Sequence, residues 1–148
     1  MSTEDIINGT AFDARSGIIF TAPKINSSGG KNVGILNSKT KKSVFLSTPL
    51  MLTWGVNEYR DDRVSYDMSL QFPNDDYNTE QLTQFLKNMQ EFESFVKEMA
   101  IKNSKEWMNK SKMSAEVIDA LFTPVLKYPK DKNTGEFDYS RAPTLRVK

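Results

Sequence analysis

The feature that most constrains the fold is a change of period. In "VSYDMSLQF", Val64, Tyr66, Met68, Leu70 and Phe72 alternate with Ser65, Asp67, Ser69 and Gln71. A period of two places the apolar set on one face of a strand. Just downstream the apolar steps become three and four: Leu82, Phe85, Leu86, Met89, Phe92, Val96 and Met99. That spacing is the stripe of an amphipathic helix. Asn78 is placed to cap it, with Gln81 three residues on in a capping-box position. The stripe predicts about six or seven helical turns. Its exposed acids would repel phosphate, so the helix is expected to pack on the strands and not to read nucleic acid. Phe95 lies off the stripe, where it could face a second chain.

The segments on either side are strand-like or punctuated. Residues 1–16 lack a clear period and are expected to be loosely held. Ile18-Ile19-Phe20, closed by Pro23, and "NVGIL" are short strand candidates, separated by the loop "INSSGGK". A basic turn, "NSKTKKS", leads into "VFLSTPLMLTWGVNEY", where Pro49 cannot donate to a ladder and marks an edge or bulge. "RDDR" turns the chain into the alternating strand. After the long helix come a short helix around "SKEWM" and another, "AEVIDALF", capped by Ser114 and closed by Pro124. "PVLKYP" and "PTLRVK" are the last strands, flanking a polar tip. Strands, then helices, then a hairpin describe an α+β chain, mainly β with a helical insertion. About five short strands with long loops suit one OB-like five-stranded barrel, with the long helix between the third and fourth strands.

Composition narrows the chemistry. The chain has 148 residues, no Cys and no His. Disulfides and thiolate metal sites are excluded, as are the commonest general base and the commonest metal ligand. Asp61-Asp62 reads as turn chemistry, and Asp75-Asp76 as acids favouring a helix N-terminus. "SSGGK" lacks the spacing of a phosphate loop. A carboxylate-dependent nuclease or transferase is therefore the weakest of three readings, and the expectation is a protein with no catalytic residues, no cofactor and no metal. No apolar run approaches membrane-spanning length, and "MSTEDII" has no signal core. A cytosolic, nuclear or virion location remains.

The net charge of +1 conceals an asymmetry. Residues 74–100 carry six acids and two lysines, whereas residues 101–148 carry ten bases and six acids. From Lys24 to Lys42 there are five lysines and no acid. Such asymmetry arises in an unevenly solvated surface, or in a protein with one basic side facing an anion. Sequence-tolerant binding of single-stranded nucleic acid needs cations along the phosphates and rings on which bases stack. The candidates are Lys31, Lys39, Lys41 and Lys42; Trp54, Tyr59 and Arg60 around the central hairpin; Trp107 and Lys110 after the long helix; and Lys127, Tyr128, Lys130, Phe137, Tyr139 and Arg141 in the last hairpin. Structural readings stand beside these. Trp54 in an apolar strand suits a core, and Tyr66 shares its face with Val64 and Met68. Trp107 fits either reading. Tyr139 beside Arg141 is the best single candidate, since a regular strand would put Phe137, Tyr139 and Arg141 on one face.

"KNVGIL", "FLSTPLMLTWGVNEY", "YDMSLQFP", "NSKEWMNKSKMS" and "LKYPKDKNTGEFDYSRAPTLRVK" together resemble a single-stranded-DNA-binding family of the nucleocytoplasmic large DNA viruses. That family is distantly similar to the phage-type single-stranded-DNA-binding proteins with an OB fold. The resemblance covers roughly residues 28–148 and carries no catalytic motif. It implies a five-stranded barrel with an inserted long helix, and sequence-tolerant single-stranded DNA binding in viral replication and recombination. It also implies contacts to a viral polymerase and helicase, a homodimer, and a place at replication sites in the host cytoplasm or nucleus, or in the virion. The phage-type proteins end in an acidic tail. This chain stops at Lys148 inside an expected strand, so a truncation is expected, which puts tail-dependent dimerisation and recruitment in doubt. The rival reading from another class is a virion-associated or structural module that uses the same fold to hold proteins.

Overall fold

The change of period becomes the joint of the molecule. The computed structural model describes residues 5–73, 79–108 and 113–147. The alternating run is strand β8 (Val64–Gln71), and the stripe is helix α2 (Glu80–Lys102). Upstream lie β1 (Ile6–Asn8), α1 (Ala14–Gly17), β2 (Ile18–Phe20), β3 (Lys24–Ile25), β4 (Lys31–Asn32), β5 (Ile35–Asn37), β6 (Phe45–Ser47) and β7 (Leu52–Arg60). Downstream are α3 (Ser104–Met108), α4 (Ala115–Leu121), β9 (Leu126–Lys127) and β10 (Thr144–Val147).

Strands and helices are mixed, with α2 inserted between β8 and β9. The main sheet has four antiparallel strands in the order β7-β8-β10-β9. β1 pairs with β6 in parallel, β2 with β5 and β3 with β4 in antiparallel fashion, each as a separate ladder. No closed barrel is traced by these ladders among the described residues. One physical reason is local: the run from Val44 to Tyr59 is broken at Thr48-Pro49, so β6 and β7 join different sheets. A second break in regularity lies within β7. Its register to β8 shifts by one residue between Thr53 and Val56, and Gly55 takes φ +101°. A side chain is strained in that conformation, and a bulge there suits glycine.

Two apolar clusters meet along α2. Leu82, Phe85 and Met89 pack with Leu70, Phe72, Leu126 and Leu145, and the Phe72 and Phe85 rings stack at 5.7 Å. Phe12, Ala14 and Ile18 form the second cluster, with Phe20, Ile35 and Phe95 against it. Phe92 touches both and is half-buried. The segment expected to be loosely held therefore supplies core. Asn88, buried on α2, donates to the carbonyls of Gly9 (2.9 Å) and Thr10 (3.0 Å). Gly9 is needed at that contact, because a Cβ would lie 2.5 Å from the Ser47 carbonyl and 2.6 Å from the Phe85 ring.

Several expectations change. Asn78 lies outside the described residues, and α2 is capped one position later: Thr79 Oγ1 accepts from Leu82 N at 3.2 Å. Phe95, off the stripe, has partners within the chain. It packs on Phe20 at 5.7 Å and beneath the Arg15 guanidinium at 5.4 Å. The α2 acids are structural anchors: Glu98 takes a two-pronged bond from Arg15 (2.8 and 2.9 Å), and Glu93 accepts from Val125 N and Leu126 N (2.6 and 2.9 Å). Ser114 caps α4 as its sequence suggests, accepting from Val117 N at 3.3 Å.

Candidate nucleic-acid interface

Register decides which side chains share a face, because directly opposed residues point the same way. Leu126, Leu145 and Leu70 are opposed across β9, β10 and β8 and face α2. Lys127, Thr144 and Gln71 are opposed one residue away, on the outer face. That outer face continues through Ser69 and Arg146, then Asp67 and Asn57, to Ser65 and Tyr59. Tyr59 and Arg60 therefore point to opposite sides of the hairpin. Arg60 falls on the side of Glu58 and Tyr66, and its Nε donates to Glu58 Oε1 at 3.1 Å.

At one end of the outer face the chain leaves a groove of about 710 Å³. Its walls include Leu50 before β7, Leu52 and Trp54 in β7, Pro73 before α2, Leu82 in α2, Lys127 in β9, and Tyr128 and Arg141 from the last connection. Trp54 is 72% exposed, so its ring is a free surface on this chain and not core. Tyr66 also departs from its core reading, at 55% exposed. Both side chains are more exposed than packed.

Tyr128 joins the groove to a ring cluster on its rim. Its ring lies 4.9 Å from Tyr139, which lies 6.1 Å from Phe137. Lys130 Nζ sits over the Phe137 ring at 5.2 Å. Gln90 on α2 donates to the Tyr128 hydroxyl at 2.7 Å and so fixes that ring from behind. Tyr139 and Phe137 are 71% and 50% exposed. The rings are not gathered by strand alternation. A single bridge links Lys130 to Phe137, residues 139 and 140 form a turn, and the paired strand begins at Thr144. Ser140 donates to Asp138 through its hydroxyl and, at 3.0 Å, its backbone N–H. Those bonds hold the Asp138 carboxyl below its ordinary range and set the turn that brings Tyr139 back onto Tyr128.

The other candidates lie elsewhere. Trp107 is half-buried and packs on Phe20 at 5.3 Å. With Phe95 and Met99 it lines a smaller cleft of about 450 Å³. Lys31 is close to it and donates to the Glu106 carbonyl at 2.8 Å. Lys39, Lys41 and Lys42 lie on the turn after β5, where Lys41 Nζ donates to the Ser38 carbonyl at 2.6 Å. Lys110 lies outside the described residues. Four sequence candidates thus converge on one groove (Trp54, Lys127, Tyr128 and Arg141), with Lys130, Phe137 and Tyr139 on its rim. Sequence reading missed the apolar wall from Leu50 and Leu52. Its only signal was Pro49, which lies in the break between β6 and β7.

Among the described residues no group of three or more acidic side chains converges on a cation site, and no helix is long and apolar enough to cross a membrane. No family model, curated protein or solved structure matches the chain.

Proposed function

We propose that the protein binds single-stranded DNA without sequence preference, as a non-enzymatic OB-like protein of large-DNA-virus replication and recombination. The observation that carries this reading is the groove. It sets Trp54 and Tyr128 beside Lys127 and Arg141, with Tyr139, Phe137 and Lys130 on its rim. Rings accept bases of any identity, and the cations track phosphates. A duplex keeps its base faces stacked inside, so the same rings favour an unpaired strand. On this reading the five-stranded barrel is formed by the main sheet with a neighbouring ladder, and polymerase, helicase and a second copy of the chain are the partners.

The test is a fluorescence titration with oligo-dT across a salt series. Three groove cations, Lys127, Lys130 and Arg141, predict a log–log slope of roughly −2 at about −0.7 per phosphate neutralised. A flat salt response refutes the groove as a phosphate track. One observation favours a second reading, a protein-docking module. The helix-side face of the β7–β8 ribbon leaves Val56, Val64 and Tyr66 more than half exposed. Absence of oligo-dT binding, with specific capture of a viral replication or virion protein, would establish that reading instead.

A further inference from the structure

We infer that Arg146 is a phosphate contact on the outer face of the sheet, oriented by Asp67, that leads a bound strand from the groove to Tyr59. The inference rests on the single-strand reading and names the path beyond the groove.

β10 carries Thr144 in the groove wall. Arg146 is two residues on, so it faces the same side about 7 Å farther along the strand. Its side chain is 37% exposed. Asp67 beside it is only 6% exposed. Oxygen Oδ2 of Asp67 accepts from Arg146 Nε at 2.9 Å and from Nη2. Oxygen Oδ1 accepts from Asn57 Nδ2 at 3.1 Å and lies 3.5 Å from the Tyr59 hydroxyl. The carboxylate is thus gripped from β7 and β10 and fixes one edge of the guanidinium.

A guanidinium has five N–H donors in a rigid plane, and Asp67 engages one edge of it. The other edge is suited to a phosphate, which this geometry matches in a two-pronged way. Tyr59, 43% exposed, supplies a ring at the next position on the same face. Lys127, Arg146 and Tyr59 therefore form a row of cation, cation and ring leading away from the groove. The competing account is a staple: an ion pair that only ties β10 to β8. It predicts a loss of stability on mutation and no change in how binding responds to salt.

Oligo-dT of 4, 8 and 16 nucleotides is titrated against the full chain, Arg146→Gln, Arg146→Lys and Tyr59→Leu over a salt series, with melting curves recorded for each. These lengths span the strand lengths that such folds cover. Arg146→Gln is expected to weaken the 16-mer about tenfold, and the 4-mer less. Its salt slope on the 16-mer becomes shallower by about 0.7. Arg146→Lys keeps the slope and loses part of the affinity. Tyr59→Leu weakens the 16-mer more than the 4-mer. Should Arg146→Gln not fold, the Lys and Leu variants decide by the same length dependence. If the folded variants have wild-type slopes and losses that do not grow with length, Arg146 is a staple and the path is wrong, while groove binding stands. A wild-type chain that binds none of the oligomers overturns both proposals.

Discussion

Two clusters in this molecule place aromatic rings beside cations, and they are built oppositely. In the cleft by α2 and α3, Phe20 contacts both Phe95 and Trp107, Arg15 lies over Phe95, and Lys31 is close by. There the cations are held by the fold: Arg15 by Glu98 and Glu91, Lys31 by a backbone carbonyl. In the groove, Tyr128, Tyr139 and Phe137 accompany Lys127, Lys130 and Arg141. None of those three cations forms an ion pair within 4 Å among the described residues. The same residue types therefore tie one region together and, on the proposed function, leave the other to meet a ligand. Between these two clusters ring-plus-cation composition is the same; what differs is that the cleft cations are held by carboxylates or a backbone carbonyl and the groove cations are not.

The most severe way to break the comparison is to remove what both regions stand on. Phe85 is 1% exposed and packs in the cluster beneath the main sheet. Phe85→Ala is expected to cost about 3–5 kcal/mol. Chemical denaturation reads it, and a loss under 1 kcal/mol would mean that α2 does not support the sheet as described.

Next in size is the exchange of rings between the two clusters. Tyr139→Ala should weaken oligo-dT binding by about 1–3 kcal/mol and barely move the melting temperature. Trp107→Ala should do the reverse, costing roughly 2 kcal/mol of stability for a half-buried ring with unchanged affinity of the folded protein. Measuring melting and binding on both mutants gives a two-by-two result. A Tyr139 variant that melts early but binds normally would put that ring in the packing class.

A finer contrast lies in the cations. Lys130→Gln should make the salt slope of binding shallower by about 0.7. Arg15→Gln should leave the slope as it is and reduce stability, because its partners are Glu98 and Glu91. Equal slopes for the two variants would erase the distinction.

The smallest expected effect is in acid. Arg15 hydrogen-bonds Glu98 and holds its carboxyl below the ordinary range; Arg146, then Asn57, do the same for Asp67. A carboxyl depressed in the folded state takes up its proton at higher pH when unfolded. The stabilisation from both is thus present above about pH 4 and is lost as the pH falls through their lowered folded values. Melting curves against pH should show that fall, and Asp67→Asn should flatten its share.

Much of the framework is legible along the chain. The stripe from Leu82 to Met99 specifies α2, and alternation from Val64 to Phe72 specifies β8, since both periods follow from backbone geometry alone. Ser114 and Pro124 bracket α4 for equally local reasons. Coverage is not local. Alternation puts Tyr66 on the same face as Met68 and Leu70, yet only the latter two are reached by the packed layer, so the ribbon beyond them is open to solvent. The same limit leaves Trp54 between a core and a platform reading and hides the partners of Phe95: the strand aromatic lies open and the off-stripe helix aromatic is packed. Residues 5–16 have no period because their contacts, through Gly9, Phe12 and Asn88, are single tertiary fits. What the sequence by itself determined was which residues can share a face and where the chain must turn, because dihedral preference and side-chain period act over a few residues. Only the tertiary structure decided which faces are covered, which cations already have partners, and that Trp54 meets Tyr128 across a groove. Those depend on where distant segments come to rest, and no short-range rule encodes that distance.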